Sequence, residues 1–172
     1  MPTPDSFNIR IATAADIDVI ARHRTAMWAE MGVAPPDVHA ALTAAGAGAI
    51  APLLQAGDYV GWVATPAASH REVVASAGVH FRRVLPFPVR RGDGRVDVDP
   101  GRFPTVVNVY TEPSHRLRGL ARMLMTRVLD WADAGGIPML ALHATPAGRG
   151  LYESLGFTPS ADMRLDLRDR RH

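Results

Sequence analysis

Residues 109–121 read VYTEPSHRLRGLA, a run of strand-forming residues that passes through a basic turn into an amphipathic helix. The first N–H groups of a helix have no acceptor within it, and the helix dipole adds partial positive charge there, so a diphosphate can bind to main-chain donors. Gly119 and Ala121 keep side chains away from such a ligand. The sequence therefore predicts a phosphate site, and the alternative is an ordinary helix start with solvated arginines. Charge-assisted bonds to phosphate oxygens can come from Arg116, Arg118 and Arg122.

On both sides of this stretch, the hydrophobic pattern alternates between strand and helix. Thr13 and Asp16 form the pattern of a capping box before the first helix, and Gly135-Gly136 follow the third. This order predicts one α/β domain over residues 1–172, with a mixed central sheet of about six or seven strands flanked by about four helices. Strands are predicted at 7–11, 59–64, 73–84, 106–111, 139–142 and 163–167, and helices at 17–31, 38–54 (as one helix or two), 117–134 and 146–155.

Residues 86–104 interrupt this alternation. They contain four prolines, three glycines and a mixed set of Arg and Asp. Proline has no N–H to donate and fixes its own backbone angle, which disfavours a packed helix or a central strand. We therefore predict a long loop here, and a frayed charged tail at 168–172.

The composition limits the classes of function. The 172 residues are 47 % apolar, enough for one core, and 19 basic residues nearly balance 17 acidic ones. Every basic residue is arginine, and there is no cysteine, which excludes disulfides, thiolate zinc sites and cysteine nucleophiles. No stretch approaches the roughly 20 apolar residues of a membrane span, and residues 1–7 do not resemble an export signal. We expect a cytoplasmic protein with no membrane partner and no metal.

The motif Arg116-x-x-Gly119-x-Ala121 resembles the Q/R-x-x-G-x-G/A motif of GNAT acyltransferases, and Pro113 stands where many members have proline. Two further segments are similar to the family: the opening 10–16, a strand followed by Ala-Thr-x-x-Asp, and LYESLGF at 151–157, which resembles the L-Y-x-x-x-G-F signature. The resemblance covers most of the chain, excepting 86–104. It implies the GNAT fold and acetyl-CoA, or another acyl-CoA, as cosubstrate.

The resemblance also implies roles for individual residues. The main chain of Val109, Tyr110 and Thr111 would pair with pantetheine in a gap between two strands, with an N–H near Thr111 on the thioester oxygen. Tyr152 would protonate the departing CoA thiolate as a general acid, unless it is a residue at the rim of the core. Thr145 stands where many members have an asparagine that contacts pantetheine. The diphosphate segment is formed by Arg116, Leu117, Arg118, Gly119, Leu120, Ala121 and Arg122.

A base must remove a proton from the acceptor, because alkyl amines are mostly protonated at pH 7. Three candidates are Glu112 in the turn, His80 on a long strand and His143 after a short one. Solvated surface is the alternative for Glu112, and a structural role is the alternative for both histidines. Acceptor contacts are predicted in the first helix, where an apolar floor beside Glu30 would attract an ammonium group. The residues concerned are Met27, Trp28, Glu30 and Met31. For the three apolar residues the alternative is a place in the hydrophobic core.

The favoured function is acetyl transfer to the primary amine of a small molecule, by direct attack through a tetrahedral intermediate. Two alternatives stay open: acetylation of a protein or peptide amine, and a CoA-binding module without catalysis. Nucleic-acid binding is not expected, because the arginines form no stripe interleaved with aromatics, which are 6 % of the chain. The strand predicted at 163–167 would leave an open sheet edge, a possible homodimer contact.

Overall fold

The computed structural model describes residues 7–69, 71–163 and 165 of the chain. Among these residues the fold is α/β, with seven strands and four helices. The strands are β1 (Phe7–Ile11), β2 (Tyr59–Pro66), β3 (Ala75–Arg83), β4 (Phe87–Arg90), β5 (Val96–Asp99), β6 (Arg102–Thr111) and β7 (Ala141–Leu142). The helices are α1 (Ile17–Glu30), α2 (His39–Ala56), α3 (Leu120–Ala134) and α4 (Pro146–Ser154).

The central sheet has the strand order β1-β2-β3-β6-β7. Its first four strands are antiparallel to their neighbours, and β7 joins β6 in parallel, which makes the sheet mixed as predicted. The described part of this sheet has five strands, because most of the sixth predicted strand, at 163–167, lies outside the described residues. Strands β4 and β5 form a separate two-stranded sheet.

Two hydrophobic cores lie on opposite faces of the sheet. The larger core packs α3 against β2, β3 and β6 through residues such as Trp62, Val79 and Leu124. The smaller core packs α1 and α2 against the other face around Ile20, Ile50 and Tyr59. Successive strand side chains point to opposite faces, so each residue position in β3 and β6 belongs to one core or the other.

The predicted long loop at 86–104 is wrong, because most of it is the hairpin β4–β5 and the beginning of β6. Val96 and Val98 alternate with aspartates along β5, and Gly94 takes the left-handed conformation (φ +85°) that closes the turn. Pro88 is accommodated because a two-stranded ribbon leaves one side of each strand without a ladder. The prolines therefore mark a ribbon outside the central sheet.

The region predicted as one helix or two is the single helix α2, which contains Pro52 and ends at the left-handed Gly57. Together with the turn before it, this helix spans Pro36–Ala56 and is long and apolar enough to cross a membrane by length and composition, with a mean hydropathy of 1.3. The sequence-based expectation that no stretch approaches such a span is therefore corrected. In the fold, α2 packs on α1 and β2 through Ile50.

The chain ends contribute little to the described structure. Of the strand predicted at 163–167, Met163 and Leu165 are described without strand pairing, and the other residues lie outside the described part. The tail at 168–172 also lies outside it.

The capping box is confirmed: Thr13 N–H donates to the Asp16 carboxylate at 2.8 Å, and Arg10 holds both oxygens of that carboxylate.

Candidate active site

A gap opens where β6 separates from β7. The two strands pair only at Thr105 with Ala141 and at Val106 with Leu142. Immediately beyond this point β6 carries an extra residue relative to β3, a β-bulge at which Asn108 takes a positive φ of 58°. Bulges bend a strand and increase its twist, so the bulge directs the end of β6 away from β7.

Buried hydrogen bonds hold the bulge in place. The Asn108 amide accepts from Arg24 Nη1 at 2.8 Å and donates to the Tyr59 hydroxyl at 3.3 Å. Asn108 itself is 4 % exposed. Asparagine tolerates the left-handed region better than most residues, and its amide satisfies two polar partners at once. The sequence alone gives no sign that Asn108 has a special position, which becomes apparent only from the strand pairing.

The main chain of β6 beyond the bulge faces in two directions. Glu112 N–H donates to Val74 O at 2.9 Å, and Tyr110 pairs with Ser76, so both residues direct their main-chain groups to β3. By alternation, the main-chain groups of Val109 and Thr111 face the gap. Of the three residues predicted to pair with pantetheine, these two have the required orientation, and the main chain of Tyr110 does not.

The turn after β6 leads into the predicted helix start. Leu117 and Gly119 take positive φ values of 61° and 80°, and α3 begins at Leu120. Met123 N–H donates to Gly119 O at 3.0 Å, so the N–H groups of residues 119–122 have no acceptor within the helix. A Cβ at Gly119 would meet nothing within 4 Å, which means that glycine is needed here for its backbone conformation. Leu117, predicted on the apolar face of this helix, instead lies before it and is fully exposed.

Arg116 and Glu30 are bound to each other. Arg116 Nη2 lies 2.6 and 2.8 Å from the two oxygens of Glu30, and Arg116 Nε donates to Thr111 O at 2.9 Å. The Tyr110 hydroxyl also donates to Glu30, at 3.0 Å, and burial together with this carboxylate raises the pKa of Tyr110 to about 12. Arg116, predicted to bind phosphate, and Glu30, predicted to attract an ammonium group, therefore neutralise each other. Their ion pair joins the end of α1 to the motif at 116–121.

The other predicted arginines of the motif have different surroundings. Arg118 is exposed at the head of α3. Arg122 donates to Ser154 Oγ at 2.7 Å and so links α3 to α4. Arg118 directly precedes Gly119 and Arg122 lies in the first turn of α3, so both belong to the segment around the helix start.

Helix α4 begins at a threonine cap and presents Tyr152. Thr145 Oγ1 accepts from Gly148 N–H at 3.2 Å, so its hydroxyl serves the helix start. The ring of Tyr152 packs against the larger core, as Val109 does, and meets Phe157 edge to face at 5.9 Å. Burial raises the pKa of Tyr152, which keeps the phenol protonated at neutral pH.

The three base candidates lie in separate places. His80 is half-buried on β3, paired with Tyr59 and Thr105, and burial together with Arg82 lowers its pKa. His143 is exposed after β7. Glu112 is 32 % exposed and lies against α1, with Oε1 3.2 Å from His23 Nε2 and 3.9 Å from Arg22. The structure brings none of the three together.

Sequence reasoning missed His23, which is fully buried on α1. Its Nδ1 lies 2.9 Å from Ser76 Oγ, and its Nε2 faces Glu112 without a well-aligned hydrogen bond. Burial lowers the pKa of His23 to about 4, against the opposing effect of Glu112. The available signal was its position three residues after Ile20, on the apolar stripe of the helix.

The residues predicted for the acceptor occupy the second half of α1. Trp28 lines an open groove of about 560 Å³ between α1 and α2. Met27 is half-buried, and Met31, the residue after the helix, is 45 % exposed. Of the three apolar side chains predicted to form the floor of an acceptor pocket, Trp28 lines this groove.

The model of the family described as Acetyltransferase (GNAT) family matches residues 26–157. Two solved structures share the fold over nearly the whole chain. A GCN5-related N-acetyltransferase from Ralstonia eutropha JMP134 is 28 % identical, with a TM-score of 0.76, over 94 % of this chain and 99 % of that one. A predicted acetyltransferase with acetyl-CoA from Clostridium acetobutylicum is 25 % identical, with a TM-score of 0.74, over 96 % and 99 %.

Two curated relatives match shorter regions. A mycothiol acetyltransferase of Tsukamurella paurometabola is 38 % identical over 77 residues, which are 45 % of this chain and 26 % of the relative. A [ribosomal protein bS18]-alanine N-acetyltransferase of Salmonella typhimurium is 35 % identical over 63 residues, 35 % of this chain and 43 % of the relative. The aligned region thus spans about a quarter of the first relative and less than half of the second.

Proposed function

Because the chain belongs to the acetyltransferase (GNAT) family, we propose that it transfers an acetyl group from acetyl-CoA to the primary amine of a small molecule. The observation that carries this proposal is the gap beside β6, which continues directly into the uncapped start of α3. Main-chain groups of Val109 and Thr111 face the gap, and free N–H groups with a positive helix dipole follow. This sequence of donors suits an extended chain that ends in a diphosphate.

The proposed reaction is a direct attack of the amine on the thioester. An N–H of β6 at the gap would stabilise the oxyanion of the tetrahedral intermediate, a contribution of about 3 kcal/mol where comparable donors have been removed. The intermediate then collapses: the C–S bond breaks, and the thiolate takes a proton. Tyr152 is the proposed proton donor, because it packs in the same core as Val109 and a phenol carries its proton at neutral pH.

His80 is the base candidate that its surroundings support best. It follows Gly78 by two positions on β3, so it faces the same side of the sheet as Tyr59 and the bulge side chain of Asn108. The lowered pKa of His80 leaves its imidazole neutral, and therefore able to accept a proton, at neutral pH. Glu112, in comparison, already has His23 and Arg22 beside its carboxylate.

A peptide amine is the second candidate acceptor, because one matched relative is by its name a ribosomal protein alanine acetyltransferase. The small-molecule acceptor is supported by the other relative, whose name specifies mycothiol. A small-molecule acceptor would bind in the groove lined by Trp28, which has a volume of about 560 Å³ and is open to solvent.

The test is release of free CoA from acetyl-CoA, followed with a thiol reagent, across a panel of small amines and short peptides. Native mass spectrometry of the purified protein reports in parallel whether acetyl-CoA binds. Turnover of a small amine, with kcat/KM rising with pH through a pKa below 6.5, is the expected result. Tight acetyl-CoA binding without turnover of any acceptor would identify a CoA-binding module, and turnover of peptides alone would identify the second candidate.

A further inference from the structure

Arg24 is a half-buried cation without an acidic partner. Its Nη1 donates to the neutral Asn108 amide at 2.8 Å, and its guanidinium lies over the Trp28 ring, 5.5 Å from the ring centre. Within the described part of the chain, no Asp or Glu oxygen lies within 4.0 Å of Arg24. A guanidinium carries five N–H donors, and burying charge is costly unless an anion compensates it.

Arg24 also lines the wall of the open groove between α1 and α2. The rest of this wall is apolar and includes Trp28, Val33, Val38 and Leu42. A groove of about 560 Å³ that is open to solvent, with apolar walls and one cation among its lining residues, can hold a ligand whose orientation the cation fixes. Its complement is a small molecule with an apolar body and one anionic group.

The cation also stands close to the reacting centre. Arg24 binds Asn108, and the next residue along β6 is Val109, whose main chain faces the gap. Arg24 and Arg82 both act on His80, where they lower its pKa further. Asp58, the carboxylate that opposes this effect on the pKa of His80, is itself bound by Arg102 at 2.9 Å and by Arg83 at 3.4 Å. The charge of Arg24 is therefore not paired with a carboxylate in the described part of the fold.

We propose that Arg24 is the specificity-determining residue for the acceptor, and that the acceptor is an amine that also bears a carboxylate or a similar anionic group on an apolar frame. The inference rests on the proposed acetyl transfer and narrows its substrate class. Arg24 binds the anion on the side of the bulge opposite the larger core, and Trp28 with its aliphatic neighbours contacts the apolar body.

A purely structural role for Arg24 makes a different prediction. If Arg24 served only to hold Asn108, its loss would disturb the bulge and weaken acetyl-CoA binding and all acceptors alike. Asn108 keeps a second partner in the Tyr59 hydroxyl, so the bulge retains a support when Arg24 is changed. Selective loss of anionic acceptors therefore separates recognition from support.

The experiment compares amino acids with their amides, which keep the amine and the side chain and lack only the carboxylate. Glycine, leucine and phenylalanine each form such a pair. Binding of each compound to the CoA-saturated full chain is measured by saturation-transfer NMR, and turnover is measured by CoA release. The variants are Arg24→Gln, which retains a donor for Asn108, and Arg127→Gln, an exposed position on α3, as the matched control.

We expect at least one acid to bind and react better than its amide, and Arg24→Gln to reduce this acid-to-amide ratio by about 10- to 100-fold, mainly through KM. Comparing the acid-to-amide ratio of a variant with that of the wild type cancels the intrinsic difference in reactivity between the acid's amine and the amide's amine. Arg127→Gln should leave the ratio unchanged, and all three proteins should bind acetyl-CoA equally.

Two results would overturn the inference: no acid that binds better than its amide, or a ratio that Arg24→Gln leaves within twofold of the wild type. Neither result affects the proposed acetyl transfer if neutral amines are still acetylated. Conversely, Arg24-dependent binding of an acid without turnover of any amine would retain the anion site and contradict the transferase.

Discussion

The two faces of the central sheet differ in how their functional residues are assembled. On the face of α3 and α4, the candidate cofactor groups come from two short contiguous segments, 109–122 and 145–157. On the face of α1 and α2, the polar contacts join residues far apart in sequence, such as Arg24 with Asn108 and Arg116 with Glu30. A segment that binds through its own main chain can be recognised locally, whereas a site built from tertiary contacts requires the fold.

Among the substitutions that test this difference between the two faces, Gly119→Glu should have the largest effect, a loss of acetyl-CoA affinity. The new side chain enters open space at the start of α3, where its carboxylate would lie among the N–H groups proposed to bind a diphosphate. Like charges in contact cost several kcal/mol, so we expect acetyl-CoA affinity to fall about a thousandfold in isothermal titration.

The other end of the same helix provides the control. Gly136 also has a positive φ, 63°, and a Cβ there also meets nothing within 4 Å. Gly136→Glu therefore repeats the backbone strain and the added charge, and it should leave acetyl-CoA affinity unchanged. Equal losses in the two variants would show that strain, and not a phosphate site, explains the effect.

Tyr152→Phe should have the next largest effect. The substitution removes only the hydroxyl, so turnover should fall about 100-fold, the low end for loss of a general acid, while acetyl-CoA affinity changes less than twofold. Steady-state kinetics and isothermal titration measure the two quantities. Phe157→Leu disturbs the edge-to-face contact with Tyr152 and leaves the hydroxyl. A similar loss of turnover in both variants would assign Tyr152 to packing.

On the opposite face, His23 should make the fold sensitive to acid. Its imidazole is buried, and its pKa is lowered to about 4, whereas the unfolded chain takes up a proton near pH 6.5. The stability it contributes is present above pH 6.5 and is lost as the pH falls toward 4, by up to about 3 kcal/mol. Denaturant unfolding from pH 7 to 4 should show this slope in the wild type.

His23→Gln should reduce the slope, because no imidazole then titrates at this site. The exposed His143 serves as the control, since His143→Gln should leave the slope as it is in the wild type. If His23→Gln lost stability with acid as steeply as the wild type, the sensitivity would belong to carboxylates such as Asp16, whose pKa Arg10 lowers.

Local patterns in the sequence predicted most of the helices and strands. Strand β1 and helix α4 follow from period and capping, which are properties of adjacent residues. The sequence predicts Gly119 as a residue that leaves space for a ligand, whereas the structure requires it for its positive φ. The same reasoning failed at 86–104, because it gave the prolines and glycines more weight than the alternation of Val96 and Val98. A hairpin outside the main sheet tolerates proline, and composition alone does not reveal where a strand pairs.

The residues of the acceptor face could not be predicted for a different reason. His23 has the helical spacing of a core residue, and its contacts with Ser76 and Glu112 exist only after α1 crosses the sheet. Asn108 is one polar residue in a strand until the pairing of β6 with β3 shows the bulge. Glu30 and Arg116 each had a predicted ligand, and the fold instead pairs them with each other.

The smallest effect is expected at Thr145, which lies at the start of α4 on the face of α3 and α4. Its hydroxyl caps α4 by accepting from Gly148 N–H, so Thr145→Ala should lower the free energy of unfolding by about 1 kcal/mol and change acetyl-CoA affinity less than twofold. Thr145→Asn should restore stability, because asparagine caps helices as well as threonine does. Chemical denaturation and titration with acetyl-CoA measure both quantities. A variant Thr145→Ala that kept its stability and lost cofactor affinity would contradict the cap and assign the hydroxyl to pantetheine.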